Sequence, residues 1–166
     1  MNIREALLAK RSKALTMRIV RYIGDDRERF AELMNAFFSE PCRATQWSAW
    51  PMSYCVQRHP ELIAPYLKKL LDHTERDDVQ DVVRRNVMRL LQYVEIPERL
   101  QGRVYSLCLD LIGDLKQPVA IKAFAVTTAR RIADSEPSLM NELALVVKEQ
   151  LPHNSIAFAK RAREVL

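Results

Sequence analysis

The sequence predicts an all-α fold of stacked helix pairs, and three observations carry that prediction. Apolar residues recur at three- and four-residue spacing along nearly the whole chain, as in Val79, Val83, Val87, Leu90 and Val94, or Leu139, Leu143, Val146 and Val147. That spacing puts them on one face of a helix. Only three of the 166 residues are glycine, which leaves little material for hairpin turns. Finally, Pro60, Pro97 and Pro137 open similar stretches, "PELIAPYLKKLLD", "PERLQGRVYSLCLDLIGD" and "PSLMNELALVVKEQL", at spacings of 37 and 40 residues.

Each predicted helix starts where a capping residue or a proline meets an apolar-periodic run. Residues 3–9 and 10–24 form the N-terminal cap, as two helices or one continuous helix, closed by Gly24-Asp25-Asp26. Asp26 then caps a helix over 26–39, and Ser39-Glu40-Pro41 separates it from the next, over 42–58. Pro51 lies inside this segment and, lacking an N–H, should kink the helix or start it. His59-Pro60 opens 60–73, Asp77-Asp78 opens 78–94, and Ile96-Pro97 opens 97–114. Gln117-Pro118, Glu136-Pro137 and Leu151-Pro152 open 118–134, 137–151 and 153–166. Asp25-Asp26 and Asp77-Asp78 read as caps rather than catalytic pairs, since Asp at a helix start accepts from free backbone N–H groups.

Hydrophobic residues at 48% and charged residues at 28% are those of an ordinary globular chain, and the length suits one domain. The opening "MNIREALLAKRSK" lacks the apolar run of a secretory signal, and no apolar stretch reaches the length of a membrane span, so a cytoplasmic location is expected. Cys42, Cys55 and Cys108 are odd in number and never spaced C-x-x-C, which points to reduced, mostly buried thiols. His59, His73 and His153 stand alone, and no metal or cofactor is implied.

After each proline-led helix comes a second helix with a basic residue near its start. Arg43, Arg84, Lys122 and Lys160 occupy that place at spacings of 41, 38 and 38 residues. The pattern resembles the HEAT and armadillo class of helical repeats, in which an Asp-x-x-Val-Arg pattern often begins the second helix; "DVVRR" from Asp81 to Arg85 is the best match. The resemblance implies a right-handed α-α superhelix of about four helix pairs. Its repeats are 26–58, 60–94, 97–134 and 137–166, behind an N-terminal cap over 1–24. A helix pair cannot cover its own apolar face, so neighbouring pairs stack around a shared core. A plain antiparallel bundle is the competing architecture.

In such repeats the second helices line the inner, concave side, and that assignment separates the charges. Segments 1–24, 41–60, 78–94, 118–133 and 152–166 hold 17 Lys/Arg and 4 Asp/Glu, while the remaining, outer segments hold 9 and 17. An inner charge of +13 and an outer charge of −8 lie behind a net +5. A positive inner face attracts acidic proteins or polyanions, and Arg adds bidentate contacts to carboxylate or phosphate. The candidate partner-binding residues are Arg18, Arg21, Trp47, Arg85, Arg89, Arg130 and Arg161. The basic ladder of Arg43, Arg84, Lys122 and Lys160 is expected instead to bond to neighbouring repeats.

Trp47, Trp50 and Tyr54 fall at three- and four-residue spacing and should line one face of the 42–58 helix, where core is the expected place for such a stripe. Trp47 is expected level with Val87 and Ala125 in the core; an alternative register sets it level with Met88 and Val126, near the groove. Cys55 is expected to be a small buried filler.

No phosphate-binding loop, dinucleotide fingerprint, G-x-S-x-G elbow or H-E-x-x-H pair occurs. The expected function is therefore a non-catalytic protein-interaction scaffold binding an acidic partner, with no membrane and no small-molecule substrate. The alternative is nucleic-acid binding related to DNA repair. In architecture the chain is similar to the alkylpurine DNA glycosylases built of HEAT-like repeats, which cradle DNA against a basic concave face with tryptophans and an Asp. Asp81 is the one inner-face candidate for that role, although no motif matches it to the catalytic Asp.

Overall fold

The computed structural model describes residues 1–9, 12–39 and 42–166, and among these there is no strand. The chain divides into two compact units, Met1–Val94 and Glu95–Leu166.

The first unit opens with α1 (Ile3–Leu8) and α2 (Lys13–Ile23). They are separate helices, because Ala9 and Ser12 are extended and the Ser12 hydroxyl caps α2 by accepting from Leu15 N at 3.0 Å. Gly24 ends α2 at φ 53°, a left-handed backbone that glycine adopts without strain. Asp26 caps α3 (Arg27–Phe37) as expected, its Oδ1 accepting from Glu28 N at 2.9 Å and Arg29 N at 3.1 Å. The 3₁₀ segment Pro60–Tyr66 and α5 (Leu67–Thr74) replace the single helix expected over 60–73. Pro65 cannot donate the bond an α-helix needs there, and it pushes the preceding residue away from α geometry.

α4 (Cys42–Arg58) runs unbroken through Pro51, so the helix does not begin there. It touches α1, α2, α3, the 3₁₀ segment and α6 (Asp81–Leu91). So many neighbours demand a slim helix. Its buried face is Thr45, Ser48, Ala49, Pro51, Met52, Ser53, Cys55 and Val56, and small residues let several helices approach at core packing density. The Trp47–Trp50–Tyr54 stripe is therefore not the core face; all three rings are half-buried at its margin.

In the second unit α7 (Glu98–Gly113), α8 (Val119–Ala133), α9 (Pro137–Gln150) and α10 (Ile156–Ala162) form the two expected pairs. α8 is the counterpart of α4. It touches α7, α9 and α10 and buries Ala123, Ala125, Ala129 and Ala133. A short 3₁₀ turn over Leu151–His153, led by Pro152, delays α10 to Ile156 where a start at 153 was expected. Within the first unit α4 is the neighbour of both α2 and α6, and within the second α8 is the neighbour of α10.

Candidate functional site

The richest arrangement of candidate residues lies on the seam between α4 and α6. Beneath it, the buried Ser53 hydroxyl donates to Asn86 Oδ1 at 3.2 Å, and Asn86 Nδ2 donates to Val82 O at 2.8 Å. Gln46 pairs with Gln80 toward the start of the seam, and Gln57 Nε2 donates to the Tyr93 hydroxyl at 3.2 Å toward its end. These three rungs join residues 34, 33 and 36 apart, so they hold the two helices in one register.

That register sets Arg89 against Tyr54, with the guanidinium carbon 4.6 Å from the ring centroid. Hydrogen bonding to Arg89 is the main cause that lowers the Tyr54 phenol pKa; its burial opposes the shift, while the charge of Arg89, hydrogen bonding to Trp50 and the charge of Lys13 add to it. Trp50 is tilted against Tyr54, with centroids 6.2 Å apart. Arg85 is exposed one turn before Arg89 on the same side of α6. Two helices, α2 with Lys13 and α6 with Arg89, thus bring positive charge to one pair of aromatic rings on α4. Cations over aromatic faces retain most of their charge for a further ligand, and Arg keeps its planar donors.

Trp47 stands between the two expectations for it. It is half-buried, with the Arg43 guanidinium 5.5 Å from its ring centroid. With Trp50 and Pro51 it walls a crevice against Leu15, Thr16 and Ile19 of α2 that encloses about 20 Å³, enough for nothing larger than water. Arg18 and Arg21 are exposed on α2. In the second unit Arg130 is half-buried on α8, and Arg161 of α10 pairs at 3.7 Å with Glu164 in the turn just past that helix. The seam therefore brings together Arg85, Arg89 and the α4 rings; Arg130 and Arg161 belong to the other unit. Lys13 escaped the sequence reading, since nothing in its spacing ties it to α4. The Tyr54–Arg89 pairing was latent in the repeat, at an offset near that of the three rungs.

The expected basic ladder forms at one of its four positions: Lys122, fully buried, donates from Nζ to Gln150 Oε1 of the next repeat at 2.8 Å. Arg84 Nη2 donates to Arg76 O at 3.3 Å, inside its own repeat. Burial lowers the Lys122 pKa, opposed by the nearby Asp114 carboxylate. Arg43 instead covers Trp47 of its own helix, and Lys160 is exposed. The ladder departs from expectation because its rungs depend on what each neighbouring repeat offers.

The other chemistry-bearing residues have structural settings. Asp78 is not a cap: it accepts two bonds from Arg76, at 2.8 and 2.6 Å, and α6 starts three residues later. Asp81 is exposed in the first turn of α6, where a carboxylate complements the helix dipole. Cys55 and Cys108 are buried free thiols, and burial pushes the Cys55 pKa up to about 12; Cys108 is raised by the same cause. The Cys42 side chain lies outside the described residues. Among the described residues no group of three His, Cys, Asp or Glu is placed to hold a metal ion, and no helix is long and apolar enough to cross a membrane.

A family model described as a HEAT repeat domain matches residues 3–165. No curated protein and no solved structure matches the chain.

Proposed function

The chain belongs to the HEAT repeat domain family, and on that premise we propose that it is a non-catalytic interaction scaffold whose α4–α6 seam binds an acidic segment of a partner protein. The observation that supports this reading is the Arg89–Tyr54 pair, held in register by the buried Ser53–Asn86 bond with Arg85 exposed one turn away. A carboxylate approaching the seam would meet Arg89 already seated over Tyr54, which lowers the cost of ordering that side chain, with Arg85 one turn away to add a second contact. Arg18 and Arg21 on α2 would extend the attraction at longer range. Arg130 and Arg161 would contribute less, since one is half-buried and the other already has a carboxylate.

The test is fluorescence anisotropy with a labelled glutamate-rich peptide and, in parallel, a duplex DNA of equal charge. Arg85→Glu with Arg89→Glu should weaken the peptide by about tenfold or more, whereas Arg130→Glu with Arg161→Glu should weaken it by no more than about threefold. Equal losses from both pairs would remove the seam as the site. Tighter binding of DNA than of peptide, with affinity falling steeply as salt rises, would replace the acidic protein with nucleic acid as the ligand.

A further inference from the structure

The second unit carries a groove of opposite character. It encloses about 540 Å³ between α7 and α9, a volume within the range of binding clefts. Along α7 its lining residues are 98, 101, 102, 105, 106 and 109, which is one helical stripe of roughly three turns, about 16 Å. Leu109, Ile132 and Leu139 give it half-buried apolar surface, and Glu98, Glu136 and Glu142 give it negative charge; no lysine or arginine lines it. The Tyr105 hydroxyl donates to Leu139 O at 2.6 Å and ties the two helices together across the floor.

Gly102 is the second observation. It lies inside α7, where glycine is a poor helix former, and a Cβ added to it would meet nothing within 4 Å. The packing of the chain itself does not require a glycine there. Its missing side chain leaves bare backbone open to the groove, which lets another chain approach closely.

We propose that this groove docks a basic amphipathic helix of a partner protein, with the apolar side of that helix on Leu109, Ile132 and Leu139, its Lys/Arg residues against the three glutamates, and its backbone closest to α7 at Gly102. This is the helix-in-groove mode of recognition, with charge complementarity setting the orientation. The groove lies wholly in the second unit, so the proposal stands apart from the α4–α6 seam.

The probe is a labelled fourteen-residue helical peptide of leucine and lysine with one apolar side, titrated against the full chain by anisotropy. Glu98→Lys with Glu136→Lys should weaken it about tenfold or more. Gly102→Leu should do the same by filling the groove, while its melting temperature rises because leucine is the better helix former. Arg85→Glu with Arg89→Glu should leave this peptide unaffected, which separates the outcome from that of the seam. Glu98→Gln with Glu136→Gln, which changes charge but little volume, should show an intermediate loss, with the melting temperature only slightly lowered because both glutamates stand at helix starts. Wild-type strength in the Gly102→Leu protein, or no dependence on the glutamates, would overturn the proposal. So would light scattering that finds a wild-type dimer abolished by Gly102→Leu, because a second copy would then fill the groove.

Discussion

Two tyrosines, one in each compact unit, show how differently one architecture can treat its polar side chains. Tyr54 of the first unit is more acidic than an ordinary phenol because Arg89 engages it. Tyr105 of the second is pushed up to about 12, first by burial and then by the Glu142 carboxylate. The first unit holds 16 Lys/Arg against 12 Asp/Glu and the second 10 against 9, so most of the excess positive charge belongs to the first. In the second, Lys122 is enclosed beside Gln150 and Arg161 is matched by Glu164. A cation counted along a helix can be an exposed ligand for a partner or an internal strut. Its neighbours in space decide which.

The strongest way to break this comparison is to damage one unit and watch the other. Phe158 is fully buried against the second unit's core, and Phe158→Ala should cost about 3–5 kcal/mol. Hydrogen exchange should lose protection across residues 95–166 and keep it in 1–94; equal loss in both would mean that the two regions unfold as one.

Lys122→Ala tests the internal strut at a smaller cost, about 2–4 kcal/mol by urea denaturation, because it opens a cavity and removes the donor to Gln150 Oε1. Its pH dependence has a definite sign. Burial lowers the folded-state pKa below the ordinary 10.5, so between those two values the unfolded chain binds a proton that the folded chain has released. Wild-type stability should therefore gain a contribution from this group as pH rises through that window, and Lys122→Ala should lack it.

The smallest effect is expected at Arg89. Arg89→Ala should cost no more than about 1 kcal/mol at neutral pH, as a partly exposed cation–aromatic contact does. Absorbance titration should show the early-titrating tyrosine of the wild type move back toward 10, while the Tyr105 transition near 12 stays in place. The lowered Tyr54 pKa adds stability that is full only above 10 and vanishes as pH falls through the lowered value. Movement of both transitions would show that the two tyrosines are not independent reporters.

The helices were legible because their signals are local. Proline and aspartate punctuation placed Asp26 as a cap and α4, α7, α8 and α9 to within a residue or two of their ends. Local signals failed where two of them conflict. Pro65 breaks an otherwise periodic helix into a 3₁₀ segment, and Asp78 prefers the nearby Arg76 to a cap three residues from the helix start. The tryptophan stripe misled for a different reason. Three-and-four spacing says that Trp47, Trp50 and Tyr54 share a face, but not which face turns inward, and a helix packed on several sides buries its small residues first. Of the site, Arg85 and Arg89 were legible as inner-layer cations; Lys13 and the groove along α7 were not.

By itself the sequence determined the all-α class, the order of helix pairs and the sign of charge on each helix, because periodicity, caps and prolines act within a few residues. Only the tertiary structure decided which cations stay in water, which tyrosine meets an arginine, and where a helical glycine opens onto a cleft. Those outcomes depend on residues about 30 positions apart being packed side by side, and burial, which sets the strength of every charge and hydrogen bond, is a property of that packing.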